Sequence, residues 1–123
     1  MAKIMIVDDN EPVRSLFIAL IDMLFPDCEV LQASNGEESV ALARATEPDI
    51  IFMDISMPGM DGIEATTQIK SFLPSARVVI LTGYDDHKLR EDAESAGACH
   101  YMLKQTMNKE LKPLLKRLLK NEE

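Results

Sequence analysis

Five short apolar runs punctuate the chain: Ile4–Val7, Val30–Ala33, Ile50–Met53, Val78–Leu81 and Cys99–Leu103. Ile4–Val7, Ile50–Met53 and Val78–Leu81 are continuous rather than alternating, the pattern of strands covered on both faces. Val30–Ala33 carries Gln32 inside it and reads as an edge strand. Between the runs the apolar positions change to helical spacing. Pro12 falls where a first helical turn tolerates proline, behind Asp9-Asn10-Glu11 as cap and dipole-favoured acids. Leu16, Leu20, Met23 and Leu24 then line one face until Pro26 stops the helix. Asn35-Gly36-Glu37-Glu38 opens a second helix holding Val40, Ala41 and Leu42, with Pro48 beyond its end. The spacing predicts a third helix from about Asp61 to Phe72, closed by Pro74, and a fourth from near Asp85 to Gly97 as a left-handed C-cap. The last carries Met107, Leu111, Leu114, Leu115, Leu118 and Leu119 at intervals of three, four and seven.

Five strands alternating with five helices imply an α/β fold, a doubly wound parallel sheet with helices on both faces. Right-handed crossovers and short connections leave few topologies. The compact one orders the strands 2-1-3-4-5 and sets strands 1 and 3 side by side at the switch point. No repeat, linker or low-complexity stretch interrupts the pattern, so residues 1–123 read as one domain.

Composition narrows the class. The 123 residues are 46% apolar, too many for a disordered segment, and no run approaches the roughly 18 apolar residues of a membrane span. The start reaches Asp8-Asp9 too soon for a signal peptide, and two cysteines suit a reducing compartment, so a cytoplasmic location is expected. The net charge of −8 argues against nucleic-acid binding as the main role. Residues 101–120 nevertheless hold six basic residues against one acid, Glu110. That strip reads as a solvated helix face, with docking of an acidic partner as the alternative.

The polar residues directly behind the runs carry the chemistry. Strand 1 ends in Asp8-Asp9, strand 3 in Asp54, strand 4 in Thr82-Gly83 and strand 5 in Lys104. In a parallel sheet these converge on one edge, and the strand spacing of about 4.8 Å brings Asp8, Asp9 and Asp54 together. Three carboxylates repel unless a cation joins them, and an all-oxygen set favours Mg²⁺ over zinc. Lys104 suits a phosphoryl oxygen, Thr82 offers a hydroxyl, and Gly83 allows close backbone approach. A carboxylate in that company is a competent nucleophile for phosphoryl transfer, forming an aspartyl phosphate. Asp8-Asp9 taken alone would read as a helix cap; Asp54 at the neighbouring strand end turns the reading toward a metal site.

With Asp8-Asp9, the run Asp54-Ile55-Ser56-Met57-Pro58-Gly59-Met60-Asp61-Gly62, Thr82-Gly83, Tyr101 and Lys104 in order, the chain resembles the receiver domain of two-component response regulators. The likeness is to the flavodoxin-like chemotaxis-regulator type and runs from residue 3 to about residue 120. The resemblance implies that Asp54 is the phosphoacceptor for a phosphohistidine on a sensor histidine kinase or phosphotransfer protein. It implies Asp9 as a direct Mg²⁺ ligand, Asp8 as one acting through water, and the Ser56 backbone carbonyl as a further ligand. Lys104 would pair with the phosphoryl group, while Thr82 and Tyr101 would act as coupled switch residues. Their motion would change the face made by helix 4, strand 5 and helix 5, toward an output domain or target protein, with a phosphorylation-dependent homodimer left open. Ser56 and Tyr84 would tune hydrolysis, the bulk of Tyr84 slowing it.

One departure stands out: the family lysine is usually followed by proline through a cis bond, and here Gln105 follows. A cis bond before a non-proline costs about 2.5–4 kcal/mol, so a trans Lys104–Gln105 bond and a differently shaped loop are expected. Asp61-Gly62 reads as a turn and cap, Met57, Met60 and Met102 as packing, His87 and His100 as surface or packing, and Cys28 and Cys99 as reduced thiols. Two other functions compete with a switch. A small Mg²⁺-dependent phosphohydrolase would need a second acid where Ser56 stands, and a receiver that only binds partners would not need the full acid–Thr–Lys set. The chain is expected to be no enzyme beyond self-phosphorylation and autodephosphorylation. It stops at Asn121-Glu122-Glu123, so no output domain is expected within it.

Overall fold

The four helices that follow strands 1 to 4 each start on an Asn or Asp whose side chain accepts the backbone N–H three residues on. These are Asn10 from Val13, Asn35 from Glu38, Asp61 from Glu64 and Asp86 from Leu89. In this computed structural model, residues 1–120 are described; Asn121, Glu122 and Glu123, on which the reading of the chain's end rests, lie outside the described residues. The elements run β1 (Lys3–Val7), α1 (Glu11–Leu24), β2 (Glu29–Ala33), α2 (Gly36–Thr46) and β3 (Ile50–Asp54). They continue α3 (Gly62–Phe72), β4 (Arg77–Thr82), α4 (His87–Ala96), β5 (His100–Leu103) and α5 (Met107–Leu119), with one turn of 3-10 helix at Lys104–Thr106.

All strand pairs are parallel and the order is β2-β1-β3-β4-β5, as the connection rules require. Alternate residues of the central strands feed two cores. Ile4, Ile6, Phe52, Val79 and Leu81 pack under α1 and α5 against Phe17, Ile21, Leu111 and Leu115. The Phe17 and Phe52 rings meet at 4.8 Å between centroids. Met5, Val7, Ile51, Met53, Val78 and Ile80 face α2, α3 and α4, against Ala43, Ala65, Ile69 and Ala93. Burial on both faces explains the unbroken apolar runs.

The boundaries differ from the sequence reading in small ways. α4 starts at His87, because Asp86 is its cap, and β5 starts at His100 rather than Cys99. β4 takes in Arg77 and Thr82 at its ends. Gly97 closes α4 at φ 105°, as its sequence position indicates, whereas α2 is closed by Glu47 at φ 50°. No peptide bond among the described residues is cis, Lys104–Gln105 included.

Candidate functional site

Parallel register assembles the site. Val7 pairs with Met53, so Asp8 and Asp54 continue β1 and β3 side by side; Thr82 pairs with Leu103, and Lys104 follows. Asp8, Asp54 and Thr82 are buried, at 1%, 4% and 1% exposure. One carboxylate oxygen each of Asp8, Asp9 and Asp54 lies within 4.8 Å of the others. Lys104 Nζ stands 3.0 Å from Asp8 Oδ2 and 3.5 Å from Asp54 Oδ1. These groups line a cleft of about 380 Å³ with Ser56, Gly83 and Tyr84 at its rim. A cavity of about 450 Å³ between α4 and β5 is larger, but its Arg90, Glu94, His100 and Tyr101 bring together no such acid set.

Several backbone features hold the acids in place. The Asp8 N–H donates to Ala33 O at 3.2 Å, and Asp8 Oδ1 accepts the Asn10 N–H at 2.9 Å. Arg14 Nη1 donates to the Asp8 carbonyl at 2.6 Å, and Arg14 Nε to Gln32 Oε1 at 2.8 Å. On the β3 side, Gly62 is required by close approach: an added Cβ would stand 2.0 Å from the Asp54 carbonyl oxygen. Its N–H donates to Ile55 O at 3.0 Å, which ties the start of α3 to the loop behind Asp54. Asp61-Gly62 is thus cap and close contact, in line with its reading as a turn.

The electrostatics are unbalanced. Burial and the neighbouring Asp8 charge push the Asp54 carboxyl up to about 6, against the partial relief from Lys104. Burial works against the Lys104 charge, but the Asp8 and Asp54 carboxylates outweigh it and raise the ammonium above its usual range. Asp8 Oδ2 is buried, with the Lys104 ammonium as its ion-pair partner at 3.0 Å. Three clustered carboxylates, more negative charge than the Lys104 ammonium beside them offsets, fit a hard divalent cation such as Mg²⁺.

Thr82 Oγ1 accepts the Tyr84 N–H at 3.3 Å, so the hydroxyl is engaged by its own loop. Tyr101 Oη donates to the Tyr84 carbonyl at 2.6 Å, with the Arg90 guanidinium 4.4 Å over its ring. Arg90 in turn pairs with Asp85 at 3.0 Å. Gln105 Nε2 donates to the Gly83 carbonyl at 2.9 Å, a second tether from the β5 side to the loop after β4. Ser56 and Tyr84 are both exposed beside the cleft. Asp8, Asp9, Asp54, Thr82 and Lys104 therefore meet in one place, and Tyr101 reaches them through the 83–84 backbone. Arg14, Arg90 and the tether from Gln105 are what the sequence reading missed.

The family description "Response regulator receiver domain" matches residues 4–116. The transcriptional regulatory protein LiaR of Bacillus subtilis is 40% identical over 124 residues, which is 99% of this chain and 58% of that protein. The response regulator protein VraR of Staphylococcus aureus is 38% identical over 121 residues, 98% of this chain and 57% of that protein. The chain thus spans a little over half the length of these relatives. Among solved structures, a LuxR-family two-component response regulator from Aurantimonas sp. superposes with a TM-score of 0.91 at 35% identity, covering 99% of this chain and 87% of that one. A LuxR-family DNA-binding response regulator from Staphylococcus aureus gives 0.88 at 25% identity, covering 96% and 98%.

Proposed function

Because the chain belongs to the response regulator receiver domain family, we propose that it is a phosphorylation-activated switch of a two-component system, with Asp54 taking the phosphoryl group. The observation that carries this is a buried Asp54 carboxylate with Lys104 Nζ 3.5 Å from its Oδ1 and oxygens of Asp8 and Asp9 within 4.8 Å. An Asp54 oxygen forms a bond to phosphorus as the N–P bond of a donor phosphohistidine breaks. The electron pair stays on the imidazole, which takes its proton from water. Mg²⁺, when bound, neutralises charge on the phosphoryl oxygens. Asp8, Asp9, Asp54 and the Ser56 carbonyl are the groups to hold it. Lys104, drawn off its carboxylate partners, pairs with a phosphoryl oxygen. Thr82 releases the Tyr84 N–H and donates its hydroxyl to another. Since Tyr101 and Gln105 hold the carbonyls of residues 83 and 84, that movement is passed to the α4–β5–α5 face.

The donor is a sensor histidine kinase or phosphotransfer protein, and the receiver of the signal is an output domain or target protein, in the cytoplasm. No helix among the described residues is long and apolar enough to cross a membrane. Light scattering on free and phosphorylated protein decides whether phosphorylation makes a homodimer. The switch itself is tested by incubation with a small acyl phosphate and Mg²⁺, followed by intact mass. A single persistent phosphoryl adduct, dependent on Mg²⁺ and absent from Asp54→Asn, is expected. Fast turnover without adduct would point to a hydrolase, and neither adduct nor turnover to a binding module; both results would overturn the proposal.

A further inference from the structure

Between Val7 and the α1 cap at Asn10 the chain must leave the sheet and turn, and Asp8 and Asp9 occupy that turn. The ladder still holds the Asp8 N–H through Ala33, and Asn10 holds one carboxylate oxygen. The Asp8 carbonyl is held from elsewhere, by Arg14 Nη1 at 2.6 Å. The same guanidinium reaches β2 through Nε, 2.8 Å from Gln32 Oε1. It therefore bridges α1, the turn and the edge strand, and both of these acceptors are uncharged oxygens. A fixed carbonyl sets the peptide plane between Asp8 and Asp9, and with it the directions in which the two side chains leave.

We propose that Arg14 is a positioning residue for the divalent-cation site, holding the Asp8–Asp9 peptide so that both carboxylates face Asp54. This rests on the reading of the acid cluster as a Mg²⁺ site. Its planar fork sends two donors in two directions, which a lysine ammonium at the end of a flexible stem cannot reproduce. Groups that orient metal ligands without touching the ion govern affinity because they fix the geometry before the ion arrives.

The test measures Mg²⁺ affinity by titration calorimetry on the full chain, with urea stability in chelator measured alongside. Arg14→Met is expected to weaken Mg²⁺ binding about tenfold. Arg14→Lys, which keeps the charge and reaches only one of the two acceptors, is expected to fall between Arg14→Met and the parent. A purely structural arginine would lower urea stability and leave the affinity of the folded protein unchanged, and that result overturns the proposal. Full affinity in Arg14→Lys also overturns it, since charge alone would then suffice; this arm decides the matter should Arg14→Met not fold. Failure of the parent to bind Mg²⁺ would instead remove the metal reading and the proposal together, whereas equal binding by parent and variants removes only the role of Arg14.

Discussion

Asp54 opposes the stability of its own fold. Its folded value of about 6 stands above the ordinary 3.8, with burial as the main cause and the Asp8 charge next. A raised carboxyl favours folding while it is protonated, below about 4, and that contribution is lost as pH rises through about 6. At pH 8 in chelator, Asp54→Asn should therefore be more stable than the parent by about 3 kcal/mol, and at pH 3.5 the difference should vanish. Urea denaturation at the two pH values measures it; a stabilisation independent of pH would contradict the assigned cause. Tyr84 acts at the same scale. It is 62% exposed at the rim of the cleft, where its ring can obstruct water. Tyr84→Ala should shorten the lifetime of the phosphorylated protein several-fold in a dephosphorylation time course, and an unchanged lifetime removes that role. The charged residues of the site were legible because each directly follows an apolar run, and parallel register carries all of them to one edge. Arg14 and Gln105 were not, because each acts on a main-chain carbonyl, Asp8 or Gly83, that no sequence pattern marks.

Helices differ in how firmly they are held, and the difference falls where a switch needs it. α5 buries Met107, Leu111, Leu114, Leu115 and Leu118, whereas α4 buries only Ala93, with Leu89 half-buried against the same core, and is mostly polar elsewhere. With so little apolar area to lose, α4 should open locally far more readily than the molecule unfolds. Amide hydrogen exchange should be at least about tenfold faster along α4 than in α5 around Leu115, while the β1 and β3 amides stay protected to the global limit. Equal protection of α4 and α5 would show that the Asp85–Arg90–Tyr101 contacts hold α4 as tightly as a core does. Helix starts were legible from Asn10, Asn35 and Asp61, each a capping residue just before an apolar period. Pro48 marked where α2 stops, but not the left-handed residue that closes it, since a glutamate at position 47 gives no sign of that conformation. The 3-10 turn at Lys104–Thr106 was foreseen only as a loop of altered shape, because the absence of proline says what the backbone avoids and not what it adopts.

At the scale of the molecule, two cores on opposite faces of one sheet meet the solvent at the edge where the acids gather. The strand order was legible because crossover handedness and short connections leave little freedom once five strands are identified. How tightly the charged groups would crowd at that edge was not, since the 3.0 Å approach of Lys104 to the buried Asp8 Oδ2 depends on side-chain geometry that no sequence pattern carries. A cation that binds there stabilises the whole chain by linkage, about 2.7 kcal/mol at a hundred times its dissociation constant. Binding must use Asp54 as a carboxylate, so below about 6 the ion has to displace a proton. One pH unit below that value the affinity falls about tenfold, and the same Mg²⁺ concentration should give about 1.4 kcal/mol. The rise in melting temperature on adding Mg²⁺ should accordingly be about twice as large at pH 8 as at pH 5. Sodium chloride at matched ionic strength gives the baseline, because a net charge of −8 attracts any cation. In Asp54→Asn the Mg²⁺ effect should be smaller and lose its pH dependence over this range. A parent whose Mg²⁺ shift is the same at both pH values would show that the ion binds away from Asp54, and the site would then have to be rebuilt around Asp8 and Asp9 alone.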